Sequence, residues 1–325
     1  MVIPYKLKKN DEVRIIAPSR SIKILSQETI DIAVKNLNDL GFKITFGKNV
    51  NNSDQFSSSS IEDRVSDLHD AFIDPNVKGI LTVIGGYNSN QILDFIDYKL
   101  IKNNPKIICG YSDITALNTA IYTQTGLVTY LGPHFSSFGM KYGLDYTKEY
   151  FKKMLMQNES YEIISSKEWS DDLWFINQGD RKFILNPGMI GINEGKAEGV
   201  LVGGNISTFS LLCGTKYFPD LTDKILMLEA HSEIQKHHFD RLLQQIIQQP
   251  NFYRVRGILI GMFQNGSQMN YEDVGFIIKS KKELINIPVL SNVNFGHITP
   301  IATLPIGSFI NFDSNETHSK INILN

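Results

Sequence analysis

Residues 106–126 read KIICGYSDITALNTAIYTQTG. A β-branched apolar run stops at Gly110, the triplet Tyr111-Ser112-Asp113 follows, and a helix-like stretch continues from Ile114. In open parallel sheets, functional residues collect at the carboxyl ends of strands. A strand, a sharp turn and a helix would put Ser112 at a helix N-terminus, where backbone N–H groups favour developing negative charge. Two readings compete. Ser112 is a preferred helix cap, with Asp113 favourable in the first turn. It also sits where a nucleophile elbow presents its serine, with Gly110 two residues before it; the second glycine of that pattern is missing, because Ile114 stands there. Taken alone, the stretch favours the cap.

Outward from it, strand and helix signals alternate. VRIIAP (13–18), KITFG (43–47), GILTVIGG (79–86) and LVTYLGP (127–133) read as strands. Residues 28–40, 59–74 and 90–101 read as helices, the second opened by Ser60 and Asp63 at capping-box spacing. Continuous apolar strands in a β-α-β-α order predict an α/β fold with a parallel sheet covered by helices on both faces. Gly85 and Gly86, at the end of the neighbouring strand, would bring bare N–H groups to the rim that carries Ser112. Such groups can form an oxyanion hole with the N–H of Asp113, although a plain glycine turn is the commoner use. Residues 134–183 show little periodicity and read as a connector with a long loop. Beyond about 184, strand-like segments dominate, interrupted by one clear helix at 237–249, which predicts a second, β-rich unit.

The 325 residues suit about two domains. A net charge of −2 gives no electrostatic argument for binding nucleic acid or an anionic membrane. Cys109 and Cys213 lie in apolar runs and read as buried thiols. The N-terminus has no signal-peptide pattern and no segment reaches membrane-spanning length, so a cytoplasmic location is expected, with no membrane partner.

A nucleophilic serine needs a base, and the base an orienting group. Of seven histidines, His297 lies in a glycine- and proline-punctuated loop, and His134 follows a strand end as a fallback base. His231, His237 and His238 cluster near Glu229, Glu233 and Asp240, which raises a metal hypothesis; H-E-x-x-H is absent and no C-x-x-C accompanies them. No metal or cofactor is expected.

Several segments in order resemble the LD-carboxypeptidases, serine peptidases that include the microcin C self-immunity peptidases. They are IGGYNSNQILDFIDY, PKIICGYSDITALN, GLVTYLGP, EGVLVGGNISTFSLLCGTKYFPDL, ILMLEA and FGHITPIATLPIG, and the resemblance spans about residues 5–310. It implies a flavodoxin-like α/β domain over 1–140 carrying the nucleophile, a connector and substrate loop over 141–183, and a β-rich domain over 184–325. It also implies a Ser-Glu-His triad of Ser112, Glu229 and His297, a substrate-binding Asn205, and a homodimer. IGGYNSNQ and EWSDDLW look like the immunity branch, in which a tryptophan stacks on the nucleobase of an aminoacyl-adenylate analogue; Trp174 fits that role, with Trp169 as alternate. A tryptophan pinning the loop to the core is the competing use. Ala230 departs from the acidic residue that relatives commonly carry after the triad glutamate. The resemblance implies hydrolysis of an amide next to a free carboxylate, in a microcin-like aminoacyl-nucleotide or related peptide. The alternatives are a murein tetrapeptide carboxypeptidase, a binding protein of the same fold without catalysis, and metal-dependent hydrolysis.

Overall fold

The computed structural model describes residues 1–315 and 318–324. The first half is a parallel sheet of β1 (Glu12–Ile16), β2 (Lys43–Phe46), β3 (Val77–Thr82), β4 (Ile107–Cys109) and β5 (Thr129–Leu131). Helices α1 (Gln27–Asp39), α2 (Ile61–Ile73), α3 (Tyr98–Asn103) and α4 (Ile114–Thr125) connect them. The strands are apolar throughout because both faces are covered. Ile15, Leu81 and Cys109 pack with Ala33 and Leu37 of α1, while Ile16, Ile80 and Ile108 pack with Leu68 of α2 and Leu117 of α4. Ser60 Oγ accepts the Asp63 N–H at 3.0 Å, as the capping spacing predicts. The segment 90–101 is not one helix: a 3₁₀ stretch Ser89–Phe95 breaks at Ile96, and α3 restarts with Asp97 as its cap.

The expected connector holds more structure than its sequence suggested. Helix α5 (Asp145–Met156) buries Tyr150, Phe151, Met154 and Leu155, and Phe151 meets Phe42 and Phe138 edge-on. This i, i+1, i+4, i+5 stripe was legible; the polar residues on both sides obscured it. Strand β6 (Tyr161–Ile163) then joins the second sheet, and the short pair β7 (Glu168–Trp169) and β8 (Ile184–Leu185) closes the base of a loop over 170–183.

The second sheet is built from β6, β9 (Ile190–Asn193), β10 (Gly195–Asn205), β11 (Lys224–Glu229), β12 (Gly257–Gly261) and β13 (Val289–Val293), with β15 (Phe309–Ser314) and β16 (Lys320–Ile323). Its centre, β10-β11-β12-β13, is parallel, and its flanks are antiparallel. Three helices accompany it: α6 (Ile206–Ser210), α7 (Lys236–Ile247) and α8 (Tyr271–Lys279), so the β-rich unit has an α/β centre. The run 197–215 is strand only to Asn205 and helix from Ile206. Cys109 is buried as expected, while Cys213 is half-buried.

The two units interlock. Strand β14 (Leu304–Ile306) leaves the second unit and pairs antiparallel with β5 at the edge of the first sheet. Gly204 (φ +145°) lies against α4: a Cβ there would come within 2.5 Å of Thr115 Oγ1, and the next residue, Asn205, donates its N–H to that oxygen at 3.0 Å. Both sheets therefore direct the carboxyl ends of parallel strands at one cleft. Among the described residues no helix is long and apolar enough to cross a membrane.

Gly204→Ala should force the ends of β10 and α4 apart. A left-handed, overpacked alanine there is expected to cost about 1–3 kcal/mol, read as a lower urea-unfolding midpoint.

Candidate active site

Ser112 stands between β4 and α4 with φ +60°, left-handed for a non-glycine residue. The helix cap is Asp113, one residue on, and Ser112 caps nothing through its side chain. The cap reading is thus corrected: the turn is too tight for Ser112 to take the extended backbone of a capping residue. Such a conformation costs about 1–3 kcal/mol and persists only where its surroundings impose it. What imposes it is Asp113. Its buried carboxylate accepts from Ser19 Oγ at 2.6 Å and Ser89 N at 2.9 Å, and its carbonyl accepts from Ser89 Oγ at 2.6 Å. The turn is pinned in this way to the loops that follow β1 and β3.

His297 Nε2 lies 2.9 Å from Ser112 Oγ, and His297 Nδ1 lies 2.7 Å from Glu229 Oε2. A carboxylate only accepts, so it fixes the proton of the neutral imidazole on Nδ1 and leaves Nε2 to accept from the serine. Glu229, the last residue of β11, is fully buried. Gly296 (φ +104°) wraps it so closely that a Cβ would meet Oε2 at 2.8 Å. Behind it, the buried Asn294 side chain accepts from Ser166 N at 3.1 Å and donates to Ser166 Oγ at 2.9 Å, tying the His297 loop to the chain after β6.

Gly85 and Gly86 border the same space. A Cβ on Gly85 would meet Ser112 Oγ at 3.0 Å. Among the described residues no acceptor faces the backbone N–H groups of Gly86 and Asp113. Asn205 pairs with Glu229 in the β10–β11 register and caps α6. Its Oδ1 accepts from Ser207 Oγ at 2.6 Å and Thr208 N at 3.2 Å, which orients the amide and leaves Nδ2 for the cleft.

Two cavities meet here. One of about 320 Å³ holds Ser112, Gly86, Arg20, Asn205 and Glu233; a second of about 170 Å³ holds Trp174, Leu173, Phe175 and Thr299. Tyr111, His231 and His297 line both. Trp174 sits in the 170–183 loop, which is fastened at both ends. Ser170 and Thr299 exchange backbone hydrogen bonds, and Asp172 accepts from Arg181 Nε at 2.7 and 2.8 Å and from Lys182 N at 2.8 Å. Burial raises the Asp172 pKa, but these donors outweigh it and hold the carboxyl below its ordinary value. Trp169 is placed otherwise: it is buried with Met262, Ile298 and Ile301 and lines neither cavity.

The other histidines separate clearly. His134 does not reach Ser112; its Nδ1 is 2.8 Å from Thr82 Oγ1 and its ring stacks on Tyr111 at 4.3 Å. Burial, then the charges of His297 and Arg20, push its pKa well below the usual histidine value. His231 is lowered too, by burial first and then by His297, whose ring it meets edge-on at 5.0 Å. Burial and then the Glu229 charge push the Tyr111 hydroxyl up to about 12. His237 and His238 lie side by side on α7, and no group of three or more metal-ligating side chains occurs among the described residues. Ala230 is buried in the apolar cluster beneath α7. Arg20, Tyr111, Ser19 and Ser89 went unnoticed in the sequence. Arg20 had a signal: it follows the APS at the end of a parallel strand, the same rim that carries Ser112.

Residues 13–132 match the LD-carboxypeptidase N-terminal domain, and residues 198–312 the LD-carboxypeptidase C-terminal domain. An MccF-like protein from Bacillus anthracis is 53% identical, with a TM-score of 0.99 over 100% of this chain and 99% of that one. The microcin C7 self-immunity protein MccF of Escherichia coli is 31% identical over 96% of this chain and 93% of its own. A structure of MccF in complex with aspartyl sulfamoyl adenosine matches with a TM-score of 0.88 at 29% identity, covering 99% of this chain and 98% of that one. A Bacillus subtilis relative, named a probable murein peptide carboxypeptidase, is 32% identical over 94% of this chain and 89% of its own. The chain belongs to the LD-carboxypeptidase family and is a serine-type carboxypeptidase hydrolase.

Glycine takes φ +60° freely, so Ser112→Gly should be more stable than Ser112→Ala by about 1 kcal/mol, read from thermal unfolding of the two variants. His134, kept neutral by the fold, binds its proton more readily when unfolded. Stability should therefore fall as pH drops below about 6.5, the ordinary histidine value. In His134→Gln the slope of unfolding free energy against pH there should shrink by up to about 1.4 kcal/mol per pH unit.

Proposed function

We propose that this member of the LD-carboxypeptidase family cleaves the amide of an aminoacyl-nucleotide of the microcin C type, in self-immunity or detoxification, with Ser112, His297 and Glu229 as its triad. Ser112 Oγ attacks the scissile carbonyl carbon while its proton passes to His297 Nε2. Glu229 holds the imidazole tautomer and stabilises the imidazolium. The N–H groups of Asp113 and Gly86, or Gly85, receive the oxyanion, each donor contributing roughly 2.7–4 kcal/mol in comparable enzymes. The imidazolium then protonates the leaving nitrogen and the C–N bond breaks. Water, deprotonated by His297 Nε2, adds to the acyl carbon, and the imidazolium returns that proton to Ser112 Oγ as the ester C–O bond breaks and the free acid leaves.

The hydrogen-bonded chain from Glu229 through His297 to Ser112 carries this reading. Ser112 lines only the larger cavity while His297 lines both, so a leaving group protonated by His297 can extend past it into the Trp174 cavity. There the indole offers a stacking face worth roughly 1–3 kcal/mol per base. The acyl group then occupies the larger cavity, beside Asn205. Identity does not separate the two substrate classes, since MccF and the murein-peptide relative are equally distant; the tryptophan in the loop favours the nucleotide.

Ser112→Ala should abolish hydrolysis of glutamyl sulfamoyl adenosine while binding persists. Trp174→Ala should weaken that substrate about 5–100-fold and leave a murein tetrapeptide unaffected. Turnover of the tetrapeptide alone would assign the protein to cell-wall peptide recycling. Binding without turnover of either would make it a binding protein.

A further inference from the structure

Ser112 lines only the larger cavity and Trp174 only the smaller, so a substrate that spans them passes Tyr111, His297 and His231. The Tyr111 hydroxyl is met by the Ser137 side chain, and both nitrogens of His297 are engaged, by Ser112 and by Glu229. His231 differs. It lies just beyond β11, half-buried, with its ring edge-on to His297 at 5.0 Å. Its Nδ1 is turned back to its own loop, where it accepts from Glu233 N at 3.4 Å and lies 3.5 Å from Ser232 Oγ. Among the described residues no acceptor meets Nε2, which is the edge left for the cavities. Burial and then the charge of His297, joined by Arg20, outweigh Glu233 and Glu229 and keep the ring neutral near pH 7. A neutral imidazole that accepts at Nδ1 carries its proton on Nε2, so His231 is a hydrogen-bond donor there.

The smaller cavity supplies a second donor. Gln264, in the loop after β12, accepts from Ser232 N at 2.9 Å through Oε1, and its Nε2 has no partner among the described residues. The next residue, Asn265, donates N–H and Nδ2–H to Asp171 at 2.6 and 3.0 Å. The loops after β11 and β12 and the loop over 170–183 are thereby tied together around this cavity. Those bonds also engage the Asp171 carboxylate, as Arg181 and Lys182 engage Asp172, and Glu233 lines only the larger cavity. Two fixed N–H donors beside carboxylates that are already engaged suit an oxyanion, and hydrogen bonds to a charged group are the stronger kind. We infer that His231, with Gln264 as second donor, recognises oxygen atoms on the group bonded to the leaving nitrogen. This rests on the placement of the leaving group proposed above. Two sources share that chemistry: the sulfonyl or phosphoryl oxygens of an aminoacyl-nucleotide, and the terminal carboxylate of a peptide. In both, the oxygens lie within about three bonds of the nitrogen that His297 protonates, and His231 is the polar residue that meets the His297 ring.

The test compares substrates that differ in those oxygens. One pair is a murein tetrapeptide and its C-terminal amide. The other is glutamyl sulfamoyl adenosine and the glutamyl amide of 5′-amino-5′-deoxyadenosine, which lacks the sulfonyl group. In the wild-type protein the oxyanion-bearing member of at least one pair should have the higher kcat/KM by about tenfold to a hundredfold. The pair that shows the preference names the source. His231→Phe keeps a ring beside His297 and removes the donor, so the ratio should fall to about threefold or less. His231→Gln, which retains an amide donor, should keep part of it. A merely structural role would lower both members of a pair and leave their ratio intact. Should His231→Phe not fold, Gln264→Glu decides: it keeps an acceptor for Ser232 N and turns the donor into a carboxylate, and the ratio should fall there too. Calorimetric binding of the same pairs to Ser112→Ala protein, with and without His231→Phe, reads the ratio without any turnover. A binding preference that depends on His231, with no hydrolysis by the wild-type protein, would overturn the hydrolase reading alone. Equal affinity and equal turnover for both members of each pair, or a preference unchanged in His231→Phe, would overturn the role of His231.

Discussion

A fully buried carboxylate, Glu229, meets His297 Nδ1 at 2.7 Å, and the architecture of the cleft follows from keeping that contact. An ionised carboxylate taken out of water costs several kcal/mol unless it is paired and hydrogen-bonded. The hydrogen bond from His297 offsets part of this cost at Oε2, while Oε1 is buried without a partner among the described residues. Gly296 and Gly261 lack side chains where a Cβ would strike Glu229, so the backbone closes over it. Asn294 holds the following loop so that the imidazole presents Nδ1 to the glutamate and Nε2 outward. Removing the carboxylate would leave the imidazole free to rotate and to choose the other tautomer.

The same contact sets the relation between the two halves of the chain. Glu229 ends a strand of the second sheet, while Ser112 lies beyond a strand of the first. Their meeting through His297 requires the halves to be fixed to within a few tenths of an ångström. Strand β14 pairs with β5 across the divide, and Gly204 lets the end of β10 touch α4 at Thr115. The strained turn at Ser112 is held from the first half alone, by the Asp113 carboxylate and its two serine donors. Ser112 is thus rigid within one unit and becomes a hydrogen-bond partner of His297 only through packing against the other.

The loop over 170–183 follows a different rule. Leu173, Phe175 and Ile176 are exposed there, so burial does little to order it. Its shape comes from polar anchors: the paired hydrogen bonds between Asp172 and Arg181, and the bridge between Ser170 and Thr299. A loop ordered by its ends can keep an aromatic face half-exposed to a ligand, as Trp174 is. Trp169, inside the flanking strand pair, has that face covered by Met262, Ile298 and Ile301.

Local periodicity was enough to reveal the parallel first sheet, because strands covered on both faces must be apolar throughout and must alternate with helices. The family motifs marked Ser112, Glu229 and His297 as a set, although 185 residues separate the serine from the histidine. Local pattern failed where long-range packing decided the outcome. Helix α5 was hidden by polar flanks, and Ser112 read as a cap because nothing nearby announced its left-handed backbone. The two tryptophans are equally aromatic in sequence, and only burial assigned one to the core and one to the cleft. Arg20 follows the end of a parallel strand, but only the fold brings it to the cavity beside Ser112. The chain's own order of residues determined which groups were available and which elements would carry them. The tertiary structure decided which of those groups lost water, met a partner or were left facing an empty space, because desolvation and distance depend on neighbours that are remote in the sequence.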